Sequence, residues 1–242
     1  MDITKRQRRI LEIVIREYIE LGEPISSHHI QENFSLGVSP ATIRNDLKKL
    51  TDLDYLSQPH TSAGRVPSDK GYRYFVNKIL EKEEHFKNRN LVREVRKIEK
   101  RIKDEITFLR ELTGFLATIS SSLTYSYLSE HDFYWKDGFE ETLHSPEFED
   151  IKKIHSFLNL VKEFENRWYD KLSNELEDQK IKIYIGSEGP FHSEDFSILV
   201  SKCSFAGNKK ALLAILGPKR MPYDKNIAIF NSLIRLLEDD HE

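Results

Sequence analysis

The sequence predicts an α+β protein with an N-terminal winged helix-turn-helix domain, a long linking helix and a C-terminal α/β domain with antiparallel strands. Three observations carry this. Residues 4–53 hold three short helical patterns separated by turn residues, and a strand–turn–strand signal over 55–67 follows directly. Apolar residues then recur at three- and four-residue steps from Leu91 to Leu123. After residue 180 the period changes to two. A period near 3.6 marks an amphipathic helix, and strict alternation marks a half-buried strand.

A chain of 242 residues sets one large domain or two modest ones as the prior. Hydrophobic residues make up 38% and charged residues 32%, enough for a core under a very polar surface. No apolar window of about 18 residues exists, so no transmembrane helix is expected. The start, MDITKRQRRILEIV, interleaves its apolar positions with charge and does not read as a signal peptide. A single cysteine, Cys203, excludes an intramolecular disulfide and fits a reducing, cytoplasmic location. It lies in an alternating apolar run and reads as a small buried side chain. Net charge is −3, divided unevenly: residues 1–78 carry about 12 Lys/Arg against 10 Asp/Glu, and the remainder about 25 against 30. A nearly neutral N-terminal region binds DNA only if its cations share a face.

Thr4 can cap a first helix through Ile10, Leu11, Val14, Tyr18 and Leu21, which Gly22 and Pro24 end. A short second helix starts near Ser26 or Ser27, with Ile30 and Phe34 on one side. Ser39-Pro40 pairs a capping residue with proline at the first helical position, opening a third helix to about Leu53. At about 100° per residue, Ile43, Leu47 and Leu50 share one narrow arc and point to a core. Ala41, Thr42, Asn45, Lys48 and Lys49 face the other way, with Arg44 on the flank and Ser39 at the cap. Small residues at the N-terminal end let such a helix press into a major groove, where an amide and cations meet base edges and phosphates. A lone basic helix with this pattern would more often be a solvated face. Three compact helices with short turns favour the helix-turn-helix.

Tyr55–Gln58 reads as a short strand, Pro59–Gly64 as a turn-rich loop and Arg65–Pro67 as the return strand. This is the wing, with His60, Thr61, Ser62 and Arg65 expected near the sugar–phosphate backbone or the minor groove. Gly64 is expected to allow close backbone approach there. The stretch lacks the glycine spacing and the Lys-Ser/Thr of a nucleotide-binding loop.

GVSPATIRNDLKKL followed by QPHTSAGRVPSDKGYRYFV, with ILEIVIREYIELGEPISS before it, resembles the HrcA family of bacterial heat-inducible transcription repressors. The similarity runs from about Lys5 to Val76. It implies a dimeric repressor that binds an inverted-repeat operator before chaperone and chaperonin operons and releases it on heat stress. It further implies that the GroEL chaperonin helps the repressor reach its active fold.

A fourth helix from Ser68 or Asp69 carries Tyr72, Phe75, Val76, Ile79 and Leu80, a stripe suited to docking on the winged domain or on a second subunit. Residues 81–90 read as a charged linker between a domain at 1–80 and one at 91–242. The apolar run from Leu91 to Leu123, with one step occupied by Glu105, predicts one helix of about 33 residues, roughly 50 Å long. Its heptad spacing permits a bundle seam, and the single break fits a long helix lying on a sheet almost as well. Ser145-Pro146 predicts another helix start, running to about Leu176. Ile181–Ile185, Phe196–Phe205 and Lys210–Leu216 read as strands, the last two joined by a turn at 206–209. A closing helix is expected over about 224–237.

The resemblance continues more sparsely through ELTGFLATIS, SPEFEDIKKI, IGSEGP and ILGPKRMPYDKNIAIF, which are similar to stretches of the family's GAF-like domain. One departure stands out. Between Leu128 and Phe133, where the family carries further strands and an inserted dimerisation domain, this sequence has only SEHD. The family chain is about a hundred residues longer, so the GAF-like domain is expected to be reduced. Dimer contacts are then expected from Tyr72, Phe75 and Val76, and from Leu109, Leu112 and Leu116.

Catalytic and metal motifs are missing from the sequence. His28 and His29 point about 100° apart on a helix and cannot readily share an ion, and no HExxH or CxxC spacing occurs. There is no GxSxG and no dinucleotide fingerprint. No enzyme, cofactor or metal is therefore expected, and the partner is double-stranded DNA. Two alternatives keep the fold and change the role: a ligand-responsive regulator of metabolic genes, or a winged helix used for protein contacts.

Overall fold

The computed structural model describes residues 3–82, 89–102, 104–128, 130, 133–172, 181–191, 193–205 and 209–239. The chain divides into two units, Met1–Lys82 and Glu83–Glu242.

In the first unit, helix α1 (Lys5–Leu21) starts at a reciprocal capping box. Thr4 Oγ1 accepts the Gln7 N–H at 3.2 Å, and Gln7 Oε1 accepts the Thr4 N–H at 3.0 Å, which satisfies two helix-end donors. Gly22 ends the helix with φ 73, in the left-handed region. Helix α2 (Ser27–Asn33) is capped by Ser26, and α3 (Pro40–Asp52) by Ser39, whose hydroxyl accepts the Thr42 N–H at 3.3 Å. Strands β1 (Leu56–Ser57) and β2 (Val66–Pro67) form an antiparallel pair with Leu56 opposite Pro67. Ile25, between α1 and α2, adds a bridge to Arg65: each N–H donates to the other's carbonyl, at 2.9 and 2.8 Å. Helix α4 (Asp69–Lys82) packs against α1 and β2.

Burial drives this assembly. Ile10, Val14, Ile30, Ile43, Leu50 and Val76 are each at most 1% exposed, and a fully buried aliphatic side chain contributes about 1.5–3 kcal/mol. Gly71 sits where a Cβ would lie 2.2 Å from the Tyr55 carbonyl oxygen. Only glycine lets α4 start that close to the segment entering β1.

The second unit is one antiparallel sheet with helices on both faces. Its strands, β3 (Leu123–Leu128), β4 (Phe133–Asp137), β5 (Ile181–Ile185), β6 (Phe196–Phe205) and β7 (Lys209–Pro218), lie in the order β4-β3-β7-β6-β5. The β6–β7 ladder is the longest, from Phe196 opposite Pro218 to Phe205 opposite Lys209. One face carries α5 (Arg89–Arg101), α6 (Glu105–Ser120) and α9 (Tyr223–Asp239). There Thr113 donates to Ser126 at 2.6 Å, and Ser197 shares a 2.7 Å hydrogen bond with Tyr223. The other face carries α8 (Ile151–Leu172), with the short α7 (Phe139–Leu143) preceding it in the chain. That face is rich in aromatics: Tyr125, Phe157, Phe164 and Phe196 are buried, and the Tyr125 ring lies 5.0 Å from that of Phe164. The chain is therefore α+β, as expected.

Several sequence expectations change. The single helix over 91–123 is two helices. Asp104 takes an extended conformation and accepts the Thr107 N–H at 2.8 Å, capping a new start. The two apolar stripes serve different partners: α5 packs on α9 and α6, whereas α6 packs on β3 and β4. Leu123 belongs to β3 and not to a helix. The helix expected from Ser145 is likewise interrupted. Pro146–Glu149 form a 3-10 turn, and Asp150 accepts the Lys152 N–H at 2.9 Å before α8 begins. The expected linker at 81–90 narrows, because Glu81 and Lys82 complete α4 and Arg89 and Asn90 open α5. Residues 83–88 lie outside the described residues, as do 173–176 of the expected helix and 206–208 of the expected turn. Strands β3 and β4 were not anticipated.

Candidate nucleic-acid interface

The outward side of α3 follows from its inward one. Ile43, Leu47 and Leu50 are 1%, 4% and 0% exposed. Ser39, Ala41, Arg44, Asn45, Lys48 and Lys49 are exposed, and Thr42 is half-buried beside the Ser39 hydroxyl, 3.0 Å away. The structure thus brings all seven expected α3 residues, cap included, onto one solvent-facing strip.

What holds that strip at a fixed angle was missed from the sequence. Asp46 directly follows the outward Asn45 in the chain, yet its side chain is 3% exposed. Arg6 of α1 donates to it through Nε at 2.6 Å and Nη2 at 3.4 Å, and Gln7 Nε2 donates at 3.1 Å. The hydrogen bond and the charge of Asp46 raise the already high pKa of the Arg6 guanidinium. One buried carboxylate therefore ties α3 to the first turn of α1. Its sequence signal is slight: Asp46 lies about 40° around the helix from Leu50, at the edge of the apolar arc.

In the loop between β1 and β2, His60, Thr61 and Ser62 are exposed. Gln58 Nε2 braces the loop by donating to the carbonyls of Thr61 at 2.8 Å and Ala63 at 3.0 Å. Two residues of this loop also make contacts inside the unit. A Cβ on Gly64 would meet the Pro24 and Ile25 backbone at 2.5–2.6 Å, so the close approach serves the Ile25 bridge inside the unit. Arg65 is half-buried, and its Nε donates to Thr51 Oγ1 at 3.0 Å. Thr51 in turn donates to the Leu47 carbonyl at 2.9 Å. Arg65 thus links the loop to the end of α3, which takes part of its guanidinium away from any ligand.

The expected dimer residues are core residues. Tyr72, Phe75 and Val76 are 1%, 2% and 0% exposed, and Leu109, Leu112 and Leu116 are 1%, 2% and 0% exposed. Arg16 lies over the Phe75 ring at 5.0 Å, closing that stripe from above. The α4 stripe is consumed by α1 and β2, and the α6 stripe by the sheet. The reduced sheet expected from the sequence leaves those stripes uncovered, whereas β3 and β4 cover the second.

Other polar clusters have structural partners. His28 Nδ1 lies 3.0 Å from Glu32 and His29 Nε2 2.6 Å from Glu17, so the two imidazoles take separate carboxylates. In the second unit a groove of about 450 Å³ is lined by Arg101, Arg110, Glu111, Phe115, Trp135 and Asp137 among others. Arg101 and Arg110 both pair with Glu111, at 3.1 and 3.6 Å, and Arg110 lies over the Trp135 ring at 6.0 Å. With Asp137 on the wall its charges balance, which leaves nothing to select an anion.

Comparison with known proteins adds to this geometry. Residues 75–227 match the family model of the HrcA protein C-terminal domain. A heat-inducible transcription repressor HrcA of Desulforudis audaxviator is 38% identical over 127 residues, which is 50% of this chain and 37% of that protein. The chain thus spans about a third of that relative's length in the matched segment. The one of Thermoanaerobacter pseudethanolicus is 27% identical over 340 aligned residues, covering 99% of this chain and 97% of that protein. This chain has 242 residues, so about a hundred of those aligned positions face a gap in it. A crystal structure of a protein described as hypothetical superposes with a TM-score of 0.77 over 98% of each chain, at 22% identity. That likeness speaks for the fold.

Proposed function

Because this chain belongs to the HrcA family, we propose that it is a sequence-specific DNA-binding repressor of heat-shock genes. It binds an inverted-repeat operator as a dimer in the cytoplasm and is released on heat stress. The first unit is read as a winged helix-turn-helix, with α3 as the recognition helix and the β1–β2 hairpin as the wing. The second unit is read as a reduced GAF-like domain. The observation that carries this is the exposed strip on α3, held in place by a buried anchor that leaves its readers free.

In the proposed complex, Thr42, Asn45 and Lys48 meet base edges. Asparagine suits the N6/N7 edge of adenine, and lysine suits the O6/N7 edge of guanine. Ser39 and Ala41 let the N-terminal end of α3 approach closely. Arg44 and Lys49 meet phosphates, which fix register without reading sequence. His60, Thr61 and Ser62 follow the backbone beside the groove, and Arg65 contributes only the part of its guanidinium not held by Thr51. Two copies related by a two-fold axis present two recognition helices to two half-sites. With the six stripe residues in the core, the two-fold contact uses other surfaces. Heat then acts by loosening the dimer or the second unit, and the GroEL chaperonin acts by supplying the folded form.

The test is a fluorescence-anisotropy titration of the chain with inverted-repeat and scrambled duplexes at moderate salt. Specific binding is expected to exceed non-specific binding by at least about a thousandfold. Asn45→Ala should cost about 1–3 kcal/mol at one operator position, and Lys49→Ala should weaken all duplexes alike. Equal affinity for operator and scrambled DNA would exclude the specific repressor in favour of the protein-contact reading.

A further inference from the structure

The anchor at Asp46 also fixes where the start of α1 lies relative to the α3 strip. Arg6 and Gln7 both reach Asp46, so the first turn of α1 adjoins the middle of α3. This seam has a buried side and an open side. On α1, Gln7 is 6% exposed, whereas the Arg6 side chain is 46% exposed. At about 100° per residue, Arg9 lies about 60° and Lys5 about 100° beyond Arg6, both away from Gln7. On α3 the same sense of rotation runs from Leu50 in the core, through Asp46 at the seam, to Thr42 and Lys49 at about 40–60° outward. The exposed surface of α3 therefore continues across the open side of the seam onto Lys5 and Arg9.

These two cations differ from the others on α1. Arg6 is committed to Asp46, Arg8 donates to the Ile3 carbonyl at 3.1 Å, and Arg16 covers Phe75. Lys5 and Arg9 are exposed, and the first turn of α1 holds no acidic residue. Glu12, the next acid along α1, is paired with Lys78. Among the described residues no acidic side chain pairs with either, so they stand as positive charge beside a strip that already offers Lys49 and Arg44.

We propose that Lys5 and Arg9 are phosphate-binding residues that extend the DNA footprint from α3 across the seam onto the first turns of α1. This rests on the DNA-binding reading above and adds to it a second backbone contact. The ligand is the sugar–phosphate backbone of the duplex, one or two nucleotides outside the bases met by α3. Such contacts strengthen binding and set the angle of the recognition helix but carry no sequence information. Each one releases condensed counterions, so it appears in the salt dependence of affinity.

The experiment uses the full chain and a duplex selected from a randomised pool by the unaltered protein. Affinity is measured from 50 to 300 mM salt for the unaltered chain and for Lys5→Gln/Arg9→Gln. A control, Lys152→Gln/Lys225→Gln, makes the same charge change at exposed positions in the other unit. The expected result is a plot of log affinity against log salt that is shallower by about 1.8 per bound subunit in the α1 variant. Its preference for the selected over a scrambled duplex stays unchanged, and the control keeps the original slope. A slope equal to that of the unaltered chain overturns the proposal while the DNA-binding reading stands. A shallower slope in the control as well would also overturn it, since net charge alone would then be responsible. If the unaltered chain selects no duplex, the DNA-binding reading fails, and this proposal fails with it.

Discussion

Replacing Asp46 by alanine tests whether the α3 strip is held by one buried carboxylate. The side chain accepts three hydrogen bonds, two from Arg6 and one from Gln7. Arg6 can turn to water when its partner is lost, since nearly half of its side chain is already exposed. Gln7 cannot, because it is buried at 6% exposure and its Oε1 is committed to the Thr4 N–H. The cost therefore comes chiefly from a buried amide left without an acceptor, about 1–3 kcal/mol. Taking about 2 kcal/mol, the local opening equilibrium shifts roughly thirtyfold, at 1.4 kcal/mol per tenfold.

Native-state hydrogen exchange reads this directly, because protection reports the free energy of the opening that exposes each amide. Slowly exchanging amides of α1 and α3 are expected to lose about thirtyfold protection in Asp46→Ala, while those of the sheet in the second unit keep theirs. Asp46→Asn keeps an acceptor for one donor and should lose clearly less. Protection in α1 and α3 that stays within about threefold of the unaltered chain in Asp46→Ala would refute the anchor. So would an asparagine variant as damaged as the alanine one.

Three further outcomes follow from the packing. Gly71→Ala places a Cβ 2.2 Å from the Tyr55 carbonyl oxygen and should cost about 1–3 kcal/mol of overpacking, seen as a lower urea midpoint for the first unit. Thr113→Val removes the donor to Ser126 in a buried contact between α6 and β3; a loss of about 1–3 kcal/mol in the denaturation of the second unit is expected, and a neutral result would argue against that placement. Burial works against ionisation of Glu147, but hydrogen bonds from Arg220 and Ser145 outweigh it and hold the carboxyl below the ordinary 4.5. A carboxyl lowered on folding contributes stability above its unfolded pKa and loses it as pH falls through the folded one. Melting temperature should therefore fall more steeply below about pH 4.5 in the unaltered chain than in Glu147→Gln, and parallel profiles would exclude the effect.

The readable parts of this sequence are those where one local signal decides. Ser39-Pro40 starts α3 where expected, because a capping hydroxyl and a proline both favour a helix N-terminus. The inward arc of Ile43, Leu47 and Leu50 fixes the outward arc with no further information. Where a residue's role depends on distant chain, the sequence is silent or misleading. The stripe from Leu91 to Leu116 misses one apolar step, taken by Glu105 beside Asp104. A continuous helix tolerates a single polar step, so periodicity alone does not separate a break from a variation. Leu123–Leu128 does alternate, with Leu123, Tyr125 and Tyr127 set against Thr124 and Ser126, but the apolar helical run that reaches Leu123 hides the change of period. With β3 and β4 unseen, Leu109, Leu112 and Leu116 had nothing to cover them and looked like an interface.

Asn45 and Asp46 show the same limit at the scale of two residues, and it bears on how variants of this protein should be interpreted. They are adjacent, similar in size and both polar, yet one is exposed on the proposed reading face and the other is sealed against α1. Loss of DNA binding in a variant of either residue would look alike in a single affinity measurement. Their physical routes differ. An Asn45 variant should relax preference at one base position and leave protection of α1 and α3 intact. An Asp46 variant should lose that protection and weaken binding to every duplex, because the whole strip is then released from its angle. Lys5 and Arg9 would give a third pattern, an altered salt slope with preference and protection both unchanged. The three measurements together separate reading, positioning and gripping on a surface where all three kinds of residue lie within one turn of the same seam.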